Sequence, residues 1–94
     1  MIVCIDCGHG MTTRGKECID GTKEWALNSR IGEYVEKMLT ERGITVVRSD
    51  DRSGKTDVPL STRVRKANEV SDYFISIHHN AGINGGHGGG IVVF

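Results

Sequence analysis

An α/β fold, a mainly parallel twisted sheet with helices on both faces, is predicted from three observations. Short apolar segments rich in β-branched and aromatic residues alternate with two stretches of helical periodicity. Glycine and polar clusters punctuate each change of element. The order strand, helix, strand, helix, strand implies right-handed crossovers, and hence parallel neighbours in three layers. Ninety-four residues suffice for one small domain.

The elements follow in order. Met1–Ile5 is short, apolar and ended by Gly8 and Gly10, as in a buried strand. Residues 7–22 hold four glycines among polar groups and are expected to form a loop. Leu27, Ile31, Val35 and Met38 recur every three or four positions, flanked by Tyr34 and Leu39. They predict an amphipathic helix from Lys23 to Arg42, closed by Gly43. Ile44–Val47 is β-branched throughout and reads as the second strand. Residues 49–58 are polar and turn-rich. Pro59 suits a helix start, with Leu60, Val64 and Ala67 as an apolar stripe running to Val70. Tyr73–Ile77 is a third strand leading into His78-His79-Asn80, and after the glycine-dense GINGGHGGG, Ile91–Phe94 is expected as a fourth.

Composition excludes several function classes. Twelve Lys and Arg balance twelve Asp and Glu, which argues against the basic surface of nucleic-acid binding. No apolar run approaches the roughly 20 residues of a membrane span. No basic stretch precedes a long apolar one, so no signal peptide is expected, and synthesis in the cytoplasm follows. Three cysteines, Cys4, Cys7 and Cys18, give no disulfide framework.

The chemistry is expected where strand ends meet, because sites in open parallel sheets gather past the carboxyl ends of the strands. His9 follows the first strand, His78 and His79 end the third, and Glu24 opens the first helix. Two imidazoles and one carboxylate suit zinc with water in the fourth position. Each residue also has an ordinary role. A loop histidine hydrogen-bonds, a first-turn glutamate favours the helix dipole, and paired histidines often divide between core and surface. Their convergence on one sheet edge is what favours a metal. Cys4 and Cys7 match C-x-x-C, but residues three apart on a strand point to opposite faces. Cys4 is therefore expected in the core, Cys7 in the loop and Cys18 as an exposed thiol. A redox reading of Cys4 and Cys7 would instead require a disulfide between them. The glycines fit neither G-x-G-x-x-G nor the P-loop pattern. Arg63 either pairs with a carboxylate near the site or is solvated.

Four segments in register resemble the zinc-dependent N-acetylmuramoyl-L-alanine amidases of bacterial wall hydrolases and phage endolysins. IDCGHG resembles the I-D-x-G-H-G opening, with His9 at the first zinc ligand. KEWALN is similar to the E-x-x-x-N helix start and puts Glu24 on the second. VPLSTRVRKAN resembles the L-x-x-R-x-x-x-A-N helix, covering Leu60, Arg63, Ala67 and Asn68. FISIHHNA is similar to S-I-H-x-N-A, which puts His78 on the third ligand and leaves His79 outside the shell.

The resemblance implies hydrolysis, at the cell wall, of the amide joining N-acetylmuramic acid to L-alanine in peptidoglycan. It implies zinc held by His9, Glu24 and His78. It also makes residues 1–94 the N-terminal portion of one amidase catalytic domain, incomplete at the C-terminus. Two departures stand out. The family commonly has Pro where Cys7 stands. Its members are also longer and carry a further catalytic glutamate after the fourth strand, which no acid here matches, so no catalytic residue is assigned. The sequence is then a piece of a longer protein or a truncated, assembling derivative, expected to bind zinc but hydrolyse poorly alone. An open sheet edge suggests a homodimer. The alternative is a non-catalytic zinc-binding or wall-binding module, its metal closed by a fourth protein ligand such as His79 or Cys7.

Overall fold

The computed structural model describes residues 1–79; the expected fourth strand, Ile91–Phe94, lies outside the described residues. Five elements follow the expected order: β1 (Ile2–Cys7), α1 (Glu24–Glu41), β2 (Thr45–Arg48), α2 (Leu60–Val70) and β3 (Tyr73–Ile77). The sheet is parallel, ordered β2-β1-β3, with Val3 opposite both Val46 and Tyr73. Two crossovers place β1 in the middle, which is why five of its six residues are buried. No helix among the described residues is long and apolar enough to cross a membrane.

Side chains alternate across β1 and divide the interior into two unlike layers. Val3, Ile5 and Cys7 form an apolar cluster with Trp25, joined by Val35, Leu39, Ile44, Val46 and Ile77. The opposite face carries Asp6, which is 2% exposed and accepts hydrogen bonds from Ser49, Ser76 and Arg63. One layer is held by hydrophobic burial, the other by a polar network.

This division corrects the expected helix stripes. The buried residues of α1 are Trp25, Asn28, Ser29 and Gly32, whereas Ile31, Tyr34 and Met38 are exposed. The helix is rotated because Gly32 lies over Cys7: a Cβ there would stand 2.5 Å from the thiol sulfur. In α2 the buried residues are Arg63 and Ala67, while Leu60 and Val64 face outward. A sheet face built around a buried aspartate selects the arginine over the aliphatic stripe. The ends behave as expected. Gly43 has φ +77°, with Gly43 N–H bonding the Thr40 carbonyl and Ile44 N–H the Leu39 carbonyl. This is a Schellman closure, in which glycine adopts the left-handed conformation at little cost.

β1 extends two residues beyond the expected Ile5, so Cys7 is its last residue and not part of the loop. Cys7 is fully buried, and its sulfur lies 3.4 Å from the Asn28 carbonyl. Burial, reinforced by the neighbouring Asp50 charge, pushes its thiol up to about 12, and burial raises Cys4 also. All three cysteines are free, which goes against the disulfide reading. Ellman's reagent at pH 8 is expected to modify Cys18 alone in the folded chain, and all three thiols once urea has unfolded it.

The polar segment 49–58 holds a second buried network. The Arg48 guanidinium donates two 2.7 Å hydrogen bonds to Asp50, which also accepts from Trp25 Nε1 at 3.0 Å. Burial opposes the Asp50 charge, but these donors hold its carboxyl below the usual range. Gly54, at φ +74°, sits beneath the Trp25 ring, where a Cβ would come within 2.6 Å. The second loop is thereby anchored to the start of α1.

Candidate metal centre

Three polypeptide segments end at the carboxyl edge of the sheet, and each contributes one side chain to a single cluster. His9 leaves β1, Glu24 opens α1, and His78 follows β3. One ligand atom from each lies within 4.8 Å of the others. His9 Nε2 stands 3.5 Å from Glu24 Oε1, and His78 Nδ1 stands 3.1 Å from Glu24 Oε2. The imidazoles meet edge to face, their centroids 5.1 Å apart. Donors bound to zinc at about 2.0–2.1 Å stand roughly 3.3 Å apart in a tetrahedron. The 3.5 Å between His9 Nε2 and Glu24 Oε1 is close to that value, and the whole donor set lies within 4.8 Å, so a modest contraction would let the three groups hold such an ion.

The surroundings preform the arrangement. A Cβ at position 8 would stand 2.2 Å from His78 Cε1, so glycine there opens the space that the imidazole fills. His9 adopts φ +66°, a left-handed conformation costing a non-glycine residue about 1–3 kcal/mol. Arg63 offsets that cost. Its Nη2 donates to the His9 carbonyl at 2.9 Å and to Asp57 at 3.1 Å. Its Nη1 donates to the Cys7 carbonyl at 2.7 Å and to Asp6 at 3.1 Å, and its Nε to the Val58 carbonyl at 2.7 Å. All five N–H groups of the guanidinium are used. Of the two roles that the sequence allows, Arg63 takes the carboxylate-paired one, and it clamps the backbone that delivers His9.

Electrostatics favour the ligating protonation states. Burial holds the His9 imidazole below its ordinary value, against the pull of Glu24, and so favours the neutral ring. Burial acts against the Glu24 carboxylate, but hydrogen bonds from Asn28 and the His79 backbone bring its pKa below the usual range. Neutral imidazole and ionised carboxylate are the forms that bind a metal.

Neither expected candidate for a fourth protein ligand joins the cluster. Cys7 is enclosed beneath α1, and the His79 ring turns to Asn28, with Nδ1 2.7 Å from Asn28 Oδ1. Among the described residues, only His9, Glu24 and His78 gather in this way. The side chain of His78 is 48% exposed and that of Glu24 12%, so the cluster opens to solvent on the His78 side. Asn28 falls within the E-x-x-x-N motif that the sequence displays, but sequence reasoning assigned it no role. It lies four residues after Glu24 on the same helical face, and that i, i+4 spacing in a polar stripe beside Trp25 was the available signal.

The family model described as Amidase_3, N-acetylmuramoyl-L-alanine amidase, matches residues 3–94. The fold is similar to the N-acetylmuramoyl-L-alanine amidase AmiC2 of Nostoc punctiforme, with TM-score 0.77 and 33% identity over 89% of this chain and 46% of that one. It is similar to the catalytic domain of CwlV, an N-acetylmuramoyl-L-alanine amidase from Bacillus (Paenibacillus) polymyxa var. colistinus. There the TM-score is 0.76 and the identity 31%, over 88% of this chain and 47% of that one. An N-acetylmuramoyl-L-alanine amidase from Clostridium difficile 630 gives TM-score 0.74 and 33% identity, over 89% and 46%. No curated protein matches the chain. The 94 residues thus span about half the length of the solved amidases that they match.

Proposed function

The chain belongs to the N-acetylmuramoyl-L-alanine amidase family, and on that premise we propose that it forms the metal-holding, N-terminal part of a zinc-dependent amidase catalytic domain. Its substrate is the amide between N-acetylmuramic acid and L-alanine in peptidoglycan, so it acts at the cell wall. The observation that carries this reading is the convergence of His9, Glu24 and His78, from three separate segments, within 4.8 Å. These residues would hold the ion, and bound zinc supplies Lewis-acid polarisation of a carbonyl and an activated water.

The protein's own groups prepare that chemistry. Burial favours the neutral form of His9 and hydrogen bonds favour the ionised form of Glu24, the forms in which each would ligate. Gly8 leaves room for His78, and the open side beside His78 gives a planar amide access. A structural zinc normally has all four positions filled by protein, and the burial of Cys7 and the turning of His79 towards Asn28 favour catalysis over a purely structural ion. On the outer strand β3, Tyr73, Phe74 and Ile75 are each at least 41% exposed. Among the described residues β3 is an outer strand of the sheet, and an apolar edge of this kind favours pairing with a second copy.

The late catalytic glutamate that the family resemblance implies has no counterpart among the acids of these 94 residues, and general acid–base help is worth about 10²–10⁴ in rate. The 94 residues assayed by themselves with zinc and purified peptidoglycan are therefore expected to release L-alanine amino termini slowly. A rate about 10²–10⁴ below that of an intact amidase is the expected result. Release at the intact enzyme's rate would contradict the division of labour, and release unaffected by a chelator would contradict the zinc reading.

A further inference from the structure

We propose that Asn28 is the positioning residue of the metal centre: one buried amide ties together the three segments that carry the ligands and leaves Glu24 a single oxygen, Oε1, for the ion. The inference rests on the metal reading above and gives a duty to a residue that it does not use.

Asn28 is 0% exposed and lies on the same face of α1 as Glu24, one turn on. Its Nδ2 is 3.1 Å from the Gly8 carbonyl and 3.1 Å from Glu24 Oε2, while its Oδ1 is 2.7 Å from His79 Nδ1. These partners fix the amide's orientation. The Gly8 carbonyl can only accept, so the NH₂ group faces it, and both N–H groups are then used. Oδ1 can only accept, so His79 carries its proton on Nδ1 and donates. Gly8 precedes His9, and His79 follows His78. The single side chain therefore touches the chain beside both histidine ligands as well as the carboxylate itself.

The consequence for Glu24 follows from counting donors. Oε2 accepts Asn28 Nδ2–H and, at 3.2 Å, the main-chain N–H of His79. His78 Nδ1 also lies 3.1 Å from Oε2, but an imidazole nitrogen that ligates a metal carries no proton to donate. With an ion bound, Oε2 therefore keeps two N–H donors, and Oε1, which faces His9 Nε2 at 3.5 Å, is the oxygen left for the metal. Such outer-shell hydrogen bonds fix the orientation of a ligand and are typically worth about 10–100-fold in metal affinity.

The test is to load the full chain, and its Asn28→Asp and Asn28→Ala variants, with Co²⁺ and to measure both affinity and visible d–d absorption. The unsubstituted chain is expected to show the intense bands of four-coordinate cobalt. Asn28→Asp keeps the size of the side chain but sets an acceptor against the Gly8 carbonyl and Glu24. Both variants are expected to bind cobalt about 10–100-fold more weakly, with fainter bands as the freed Oε2 raises the coordination number. A folded variant that keeps both the affinity and the spectrum of the unsubstituted chain would overturn the inference while leaving the metal reading standing. Should neither variant fold, weak five- or six-coordinate bands from the unsubstituted chain would overturn it, and intense ones support it. No cobalt binding by the unsubstituted chain would overturn the metal reading and this inference together.

Discussion

Arg63→Met is expected to cost about 3–5 kcal/mol of stability, the usual consequence of removing one partner from a buried ion pair. Methionine fills much of the arginine's volume, so the loss is electrostatic and not a cavity effect. Asp6, 2% exposed, would keep the hydroxyls of Ser49 and Ser76 but lose its counter-charge. The carbonyls of Cys7, Val58 and His9 would each lose a donor in the same step. Ninety-four folded residues contribute a total stability of only about 5–14 kcal/mol, so the variant is expected to be largely unfolded in moderate urea. Arg63→Lys keeps the charge but replaces a planar five-donor fork by a three-donor ammonium, and recovery should be partial. Urea titration followed by circular dichroism measures both. A methionine variant with an unshifted midpoint would mean that the arginine is no clamp.

Removal of a candidate ligand is expected to have the largest effect on the site. His78→Ala or Glu24→Ala leaves two protein ligands where three converge, and zinc affinity should fall well beyond the roughly 100-fold limit of outer-shell changes. Glu24→Ala also leaves Asn28 Nδ2 and the His79 N–H without their shared acceptor, so two defects add. His79→Ala is the informative neighbour. Its ring contacts Asn28 and not the cluster, and its loss should weaken zinc binding by no more than about tenfold. Competition against a chromophoric chelator separates these outcomes. Equal losses at His78 and His79 would mean that the two imidazoles share the metal.

Much of this was legible in the residues, for identifiable reasons. Strand and helix periods differ, so the apolar segments and the stretch after Lys23 declared their elements, and Gly43 declared a helix end. The rule that strand ends meet at one edge brings His9, Glu24 and His78 to one place from the order of elements alone. The faces of the helices were not legible. Ile31 and Met38 sit at periods suited to burial, yet α1 turns Trp25, Asn28, Ser29 and Gly32 inward, because Gly32 admits the Cys7 sulfur and Asn28 serves Glu24. A periodicity of apolar residues cannot foresee a core that is polar where it meets a site. Arg63 was ambiguous for the same reason, since its five acceptors come from residues 6–9 and from residues 57 and 58. Only the folded chain brings them together. Cys7 was misplaced by two residues of strand, and its smallness is explained by the helix passing directly over it.

Zinc K-edge X-ray absorption on the zinc-loaded chain tests the central claim most directly. The account predicts a shell of two imidazole nitrogens with oxygen making up the rest, at about 2.0–2.2 Å. A sulfur at about 2.3 Å, or a third imidazole, would contradict it.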